Sequence, residues 1–137
     1  MDFRAQLRSV SLKATPKRIA ILDILEHSKK PLTAEGVHKA LRGKLIDQAT
    51  IYRTLKDLTA KNILRQIDFQ HGHAHYELAS GPDHHHLVCM RCGRVEDFTG
   101  CDFKDIKARA LRQTRHFKKV ANHTLELFGI CTSCEKK

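Results

Sequence analysis

Two Cys-x-x-Cys units, Cys89-Met90-Arg91-Cys92 and Cys131-Thr132-Ser133-Cys134, constrain this chain more than any other feature. Two residues between thiolates let one tight turn place both sulfurs on adjacent vertices of a tetrahedron, about 2.3 Å from a zinc ion. Two such turns close the shell, so the stretch between them must fold until its ends meet. Four thiolates leave no vertex for water or substrate, and the spacing therefore predicts a structural Zn2+ site at Cys89, Cys92, Cys131 and Cys134. Redox pairs are the alternative, and a doubled motif argues against them. The N-terminus carries Asp2, Arg4 and Arg8 without an apolar core, and no apolar run approaches the ~18 residues of a bilayer span. The expectation is a cytoplasmic, non-membrane chain, where thiols hold metal more readily than they pair.

Residues 1–79 read as a winged helix-turn-helix. Phe3, Leu7 and Val10 suit a short first helix. Thr15 is an N-cap with Pro16 at the first helical position, and Ile19, Leu22, Ile24 and Leu25 share one face. Thr33 caps a third helix, with Val37, Ala40 and Leu41 inward and Gly43 past its end. Asp47 caps a fourth, from about Gln48 to Lys61, burying Ile51, Leu55 and Leu58 before a stop at Asn62. Segments 63–69 and 73–78 flank Gln70-His71-Gly72 as a β-hairpin. Residues 80–83, Ser-Gly-Pro-Asp, read as a hinge. Residues 84–137 form a small α/β unit: strands at His86–Cys89 and Val95–Phe98, an amphipathic helix on Phe103, Ile106, Ala110 and Leu111, and a strand pair at Phe117–Val120 and Thr124–Ile130. The fold class is α+β.

Twenty-five Lys and Arg against fifteen Asp and Glu give a net charge of +10, which favours a polyanionic partner. Tyr52 and Arg53, early in the fourth helix, are candidates for reading DNA edges, with Lys13, Arg18 and Lys56 near phosphates; a solvated helix face is the plain alternative. Among ten histidines, His71, His73, His75, His84, His85 and His86 crowd together. Strand alternation sends His84 and His86 to one face and His85 to the other, so one strand can serve two metal sites, or simply carry a solvated or packed cluster. Glu77 is a candidate to share a metal with His84 and His86, or else a surface carboxylate at the end of the wing.

Four stretches carry a resemblance across nearly the whole chain: Leu12-Lys13-Ala14-Thr15-Pro16-Lys17-Arg18, Ala49-Thr50-Ile51-Tyr52-Arg53-Thr54-Leu55, residues 84–93 (HHHLVCMRCG) and residues 122–131 (NHTLELFGIC). In their order and spacing the chain resembles the ferric uptake regulator family of metal-sensing transcription regulators. The resemblance implies an N-terminal winged helix, a hinge and a C-terminal dimerisation domain. It also implies a homodimer that reads a palindromic double-stranded DNA operator, most commonly as a repressor of metal-uptake or stress genes.

Position by position, the resemblance makes Tyr52 and Arg53 major-groove readers and Lys13 a minor-groove contact. It makes Cys89, Cys92, Cys131 and Cys134 the structural zinc ligands. Glu77, His84 and His86, completed by Asp97, match the regulatory metal site. Many iron and peroxide sensors supply a further histidine where this chain has Pro31, so His71 or His73 is a candidate replacement. Zinc-sensing relatives often have cysteine at Glu77, and an oxygen-rich set with two imidazoles suits Fe2+ or Mn2+ as well as Zn2+; the lean is to iron. His85 and His123 match a second metal site, with Asp105 or Asp102 as the acid and Asp83 where another histidine is usual. Cys101 has no assigned role; a buried small hydrophobe, an extra ligand or a reactive thiol are its readings. Two rivals remain. A zinc hydrolase or deaminase lacks its motifs here, which makes the chain a non-enzyme. A metal carrier or zinc-ribbon adaptor without sequence-specific DNA binding is the alternative.

Overall fold

The computed structural model describes residues 2–42, 44–70, 72–80 and 84–136. Gly43, His71 and the Gly-Pro-Asp part of the expected hinge, 81–83, lie outside the described residues. The chain divides into two compact units, Met1–Gly81 and Pro82–Lys137. No helix among the described residues is long and apolar enough to cross a membrane.

Unit 1 is built from α1 (Phe3–Ser9), α2 (Pro16–His27), β1 (Leu32–Thr33), α3 (Ala34–Ala40), α4 (Gln48–Ala60), β2 (Leu64–Asp68) and β3 (Ala74–Leu78). Each main helix starts at a residue whose side chain accepts from its own first turn: Thr15 from the Arg18 amide at 3.3 Å, Thr33 from Gly36 at 3.0 Å, Asp47 from Thr50 at 3.2 Å. After α4 the chain turns through Asn62 in the left-handed region, φ 60°, as an Asn beyond a C-cap permits. The wing strands β2 and β3 pair antiparallel with Gln66 opposite Tyr76, and β1 adds to the far side of β3, giving the order β1-β3-β2. The core joins Leu7, Ile21, Leu22, Val37, Ile51, Leu55, Leu58 and Tyr76. Two expectations differ. Ala40 is exposed, because α3 ends there and the chain turns at Leu41, which is buried. Ile21, absent from the expected face of α2, is fully buried.

Unit 2 holds β4 (His85–Cys89), β5 (Val95–Phe98), α5 (Phe103–Arg112), β6 (Glu126–Gly129) and α6 (Thr132–Glu135). Its sheet has the order β5-β4-β6, with β4 antiparallel to β5 and parallel to β6. A parallel pair needs a long crossover, and α5 with the segment after it supplies one. The expected strand pair is therefore corrected. Only β6 forms, on the free side of β4; residues 117–120 have no strand assignment, and Phe117 is 69% exposed amid basic neighbours. Helix α5 forms where expected but buries none of its side chains. Leu87 and Leu127, neighbours in the parallel register, leave an apolar stripe open on the sheet, with Ile106, Ile130 and Met90 also exposed.

Candidate functional site

The four cysteines of unit 2 come from three elements. Cys89 closes β4, Cys92 lies in the turn before β5, Cys131 precedes α6 and Cys134 sits within it. Gly93, at φ 78°, reverses the chain after Cys92, and its amide donates to the Cys89 carbonyl at 3.0 Å. The sulfurs lie within 4.8 Å of one another, with Cys92 and Cys131 at 3.7 Å. A tetrahedron with bonds of about 2.3 Å has edges of about 3.8 Å, so the donor set fits zinc. The Arg91 guanidinium donates to the Cys134 carbonyl at 3.1 Å, tying one knuckle to the other. Amides of Cys92 and Cys131 pull the Cys89 thiol down to about 5. Its neighbour Cys131 and burial push Cys134 up to about 12. Crowded thiols that cannot all ionise alone are the situation a divalent cation resolves.

Strand β4 turns its histidines alternately. His84, just before it, meets the His86 ring edge-on at 5.0 Å between centroids. His86 is buried, 2% exposed, and faces a carboxylate on each side. Its Nε2 is 3.8 Å from Asp97 Oδ1 and its Nδ1 3.9 Å from Glu126 Oε1. The register causes this, since Asp97 on β5 and Glu126 on β6 both pair with His86. Glu126 was not foreseen. It lies in a stretch that carried the resemblance, but only the long-range parallel pairing reveals its role. His85 turns to the opposite face, with its Nε2 3.1 Å from that of His123.

Asp105, expected beside this pair, instead binds Arg109 at 3.0 Å one turn along α5 and is exposed. Asp102, the other acid considered, caps the same helix by accepting from the Asp105 amide. The residue that joins His85 and His123 is Cys101, whose Sγ is 3.9 Å from His123 Nε2.

In unit 1, Glu77 lies on β3 directly across from Arg65 on β2, which binds it through Nε at 3.1 Å and a terminal nitrogen at 3.0 Å. Sequence reasoning missed Arg65. His73 is exposed next to the hairpin turn, its carbonyl accepting from His75 Nδ1, and Pro31 is buried before β1.

On α4, Tyr52 is 46% exposed, Arg53 and Lys56 are exposed, and the Lys56 ammonium rests 4.8 Å from the Tyr52 ring centre. Arg53 reaches back to the Thr50 hydroxyl at 3.4 Å. Lys13 is exposed, and its carbonyl accepts from the Arg18 guanidinium at 2.8 Å, bracing the loop before α2.

Comparison with known proteins accords with this arrangement. The chain is 39% identical to the ferric uptake regulation protein of Legionella pneumophila over 98% of its own length and all of the relative's. Among solved structures it matches the Vibrio cholerae ferric uptake regulator with a TM-score of 0.79 at 31% identity, over 95% of this chain and 100% of that one. It matches that of Pseudomonas aeruginosa, solved with manganese, at the same score and identity over 96% and 99%. The model of the ferric uptake regulator family matches residues 9–128, which take in the winged helix, the histidine strand and the first cysteine pair. A winged helix followed by a metal-ligating α/β unit, matched in sequence and in fold along nearly its whole length, means that the chain belongs to the ferric uptake regulator family of metal-responsive transcription regulators.

Proposed function

We propose that the chain is a homodimeric repressor whose two recognition helices read a palindromic operator when a regulatory metal is bound. The observation that carries the reading is the outer face of α4, where Tyr52, Arg53 and Lys56 stand exposed on a winged helix in a chain of net charge +10. The first turns of such a helix enter the major groove, and Lys13 and Arg18 approach the backbone. The open stripe of Leu87 and Leu127 on unit 2 supports pairing of two copies there.

Cys89, Cys92, Cys131 and Cys134 hold structural zinc in this reading. Glu77, His84, His86 and Asp97 form the regulatory ligand set, with His71 or His73 filling the position vacated at Pro31. Glu126 holds the His86 Nδ1 edge, so that Nε2 is the nitrogen presented to metal. Arg65 competes for Glu77 and keeps it from collapsing as an isolated charge when no metal is there. Carboxylates with two imidazoles favour Fe2+, with Mn2+ or Zn2+ as the other candidates. Residues 80–83 act as the hinge, and ligands on both sides of it favour one relative setting of two DNA-reading units. A coupling of about 3 kcal/mol would strengthen operator binding about 150-fold, and operator would tighten metal binding equally. The regulated genes are those for metal uptake or oxidative stress.

Binding of the zinc-loaded chain to a family-type palindrome, with Fe2+, Mn2+ and Zn2+ titrated anaerobically, tests the reading. Metal-dependent binding lost in Glu77→Ala/His84→Ala is expected. Tyr52→Ala should erode the preference for operator over scrambled DNA by about 1–3 kcal/mol per half-site while leaving metal uptake intact. Specific binding that ignores metal overturns the regulatory site, and no specific binding favours the metal-carrier alternative.

A further inference from the structure

Cys101 is the cysteine left over once four have closed the zinc shell. It stands half-buried two residues before α5, with Sγ 3.9 Å from Nε2 of His123, and that nitrogen is 3.1 Å from Nε2 of His85. One ligand atom from each of the three residues lies within 4.8 Å of the other two. Aromatic rings hold the imidazoles in place. Phe103 stacks on His123 at 4.0 Å between centroids, and Phe98, opposite His85 in the strand register, lies 5.5 Å from it. The neighbouring carboxylates are committed elsewhere, Asp102 to the α5 cap and Asp105 to Arg109.

We infer that His85, Cys101 and His123 form a second metal site, with two imidazole nitrogens and one thiolate sulfur as donors, that prefers zinc. Three protein donors occupy three vertices of a tetrahedron and leave the fourth to water or a small anion, as in open zinc sites. A thiolate in place of a carboxylate makes the site softer than the oxygen-bearing set at His84, His86 and Asp97, and soft donors select zinc over iron and manganese. Strand β4 thereby presents a hard set on one face and a soft set on the other. The resemblance pointed to His85 and His123 with an acid from α5; the sulfur is what the structure adds, and it rests on unit 2 alone.

Cobalt(II) is the probe, added to the full zinc-loaded chain in a Glu77→Ala/His84→Ala background that disables the proposed regulatory set. Expected are tetrahedral d–d absorption and a sulfur-to-cobalt charge-transfer band, both abolished when additional zinc displaces the cobalt. Cys101→Ser should remove the charge-transfer band. It should also weaken cobalt binding by at least the roughly 10–100-fold that even outer partners of a metal are worth. Unchanged zinc content and circular dichroism would show that this variant is folded, and His123→Ala supplies an independent loss of cobalt. A charge-transfer band that survives Cys101→Ser comes from the four-cysteine site and overturns the proposal, as does absence of cobalt uptake or displacement by Fe(II) in preference to Zn(II). Metal-dependent operator binding by Cys101→Ser in an otherwise unaltered chain reports on the proposed sensor separately, so either reading can fail without the other.

Discussion

The two units are held together by different physics. Unit 1 buries a continuous apolar core that runs from Phe3 through Ile21, Val37 and Leu55 to Tyr76. In unit 2 the buried side chains among the described residues are Val88, two cysteines of the zinc set and the histidines of β4. An apolar core of the extent seen in unit 1 supplies the hydrophobic free energy a small domain needs. Unit 2 has one buried aliphatic residue among those described, so metal coordination must stand in for the core it lacks. The groups that stabilise unit 2 are therefore the same kinds of group that sense, whereas in unit 1 the stabilising residues and the DNA-facing residues lie on opposite sides of α4.

The largest effect should come from removing the zinc shell. Structural zinc contributes roughly 10–16 kcal/mol of apparent binding free energy, more than a unit with so little core can replace. Cys131→Ala is expected to lose bound zinc and to bring β4 and β6 amides to nearly unprotected hydrogen exchange, while amides of α2 and α4 remain protected. Joint loss of protection in both units would break the contrast.

The converse substitution lies in unit 1. Leu55 is fully buried on α4, and Leu55→Ala should cost about 2–5 kcal/mol from lost burial and the cavity left behind. Denaturant unfolding followed by circular dichroism measures that loss, and a chromogenic chelator should find the zinc content unchanged. A smaller effect is expected at the knuckle. Gly93 has open space around a would-be Cβ, so Gly93→Ala brings backbone strain alone, about 1–2 kcal/mol at φ 78°. In unit 2 that strain should read out as roughly tenfold weaker zinc retention in a competition titration; unchanged retention would mean that the turn relaxes.

The same contrast explains what was legible in the sequence. Unit 1 is written locally: Thr15, Thr33 and Asp47 each bond to an amide three residues on, and Asn62 marks the stop after α4. Such signals need no knowledge of distant contacts. The Cys-x-x-Cys units were legible for the same reason, because each is a single turn. Unit 2 is otherwise set by pairings far apart in the chain. Glu126 meets His86 only because β6 runs parallel to β4, Cys101 meets His123 only through the crossover, and Phe117–Val120 forms no strand because β6 takes the available edge of β4. Periodicity registers apolar alternation and is blind to which edge is still free. Asp105 was misplaced by the same blindness, since an i,i+4 partner, Arg109, was available on its own helix.

The smallest predicted effect separates two causes of acid sensitivity. Hydrogen bonds from the Thr50 hydroxyl and amide, aided by the nearby Arg53 charge, hold the Asp47 carboxyl below its ordinary 3.8. A carboxyl lowered in the folded state stabilises it fully above the unfolded value, and the contribution fades as pH falls through the folded value. Protection of α4 amides should therefore decline in that acid window, whereas Asp47→Asn, which keeps an oxygen acceptor at the cap without a titrating charge, should show a flatter profile there. Unit 2 responds to acid for another reason, because protons compete with zinc for thiolates. Hydrogen exchange at stepped pH resolves the two, since unit 2 should lose protection together with zinc while the Asp47 effect stays confined to the first turns of α4. If Asp47→Asn left the acid profile of α4 unchanged, the cap would owe its strength to geometry alone, and the charge on Asp47 would serve only to orient Arg53 for the DNA-facing side.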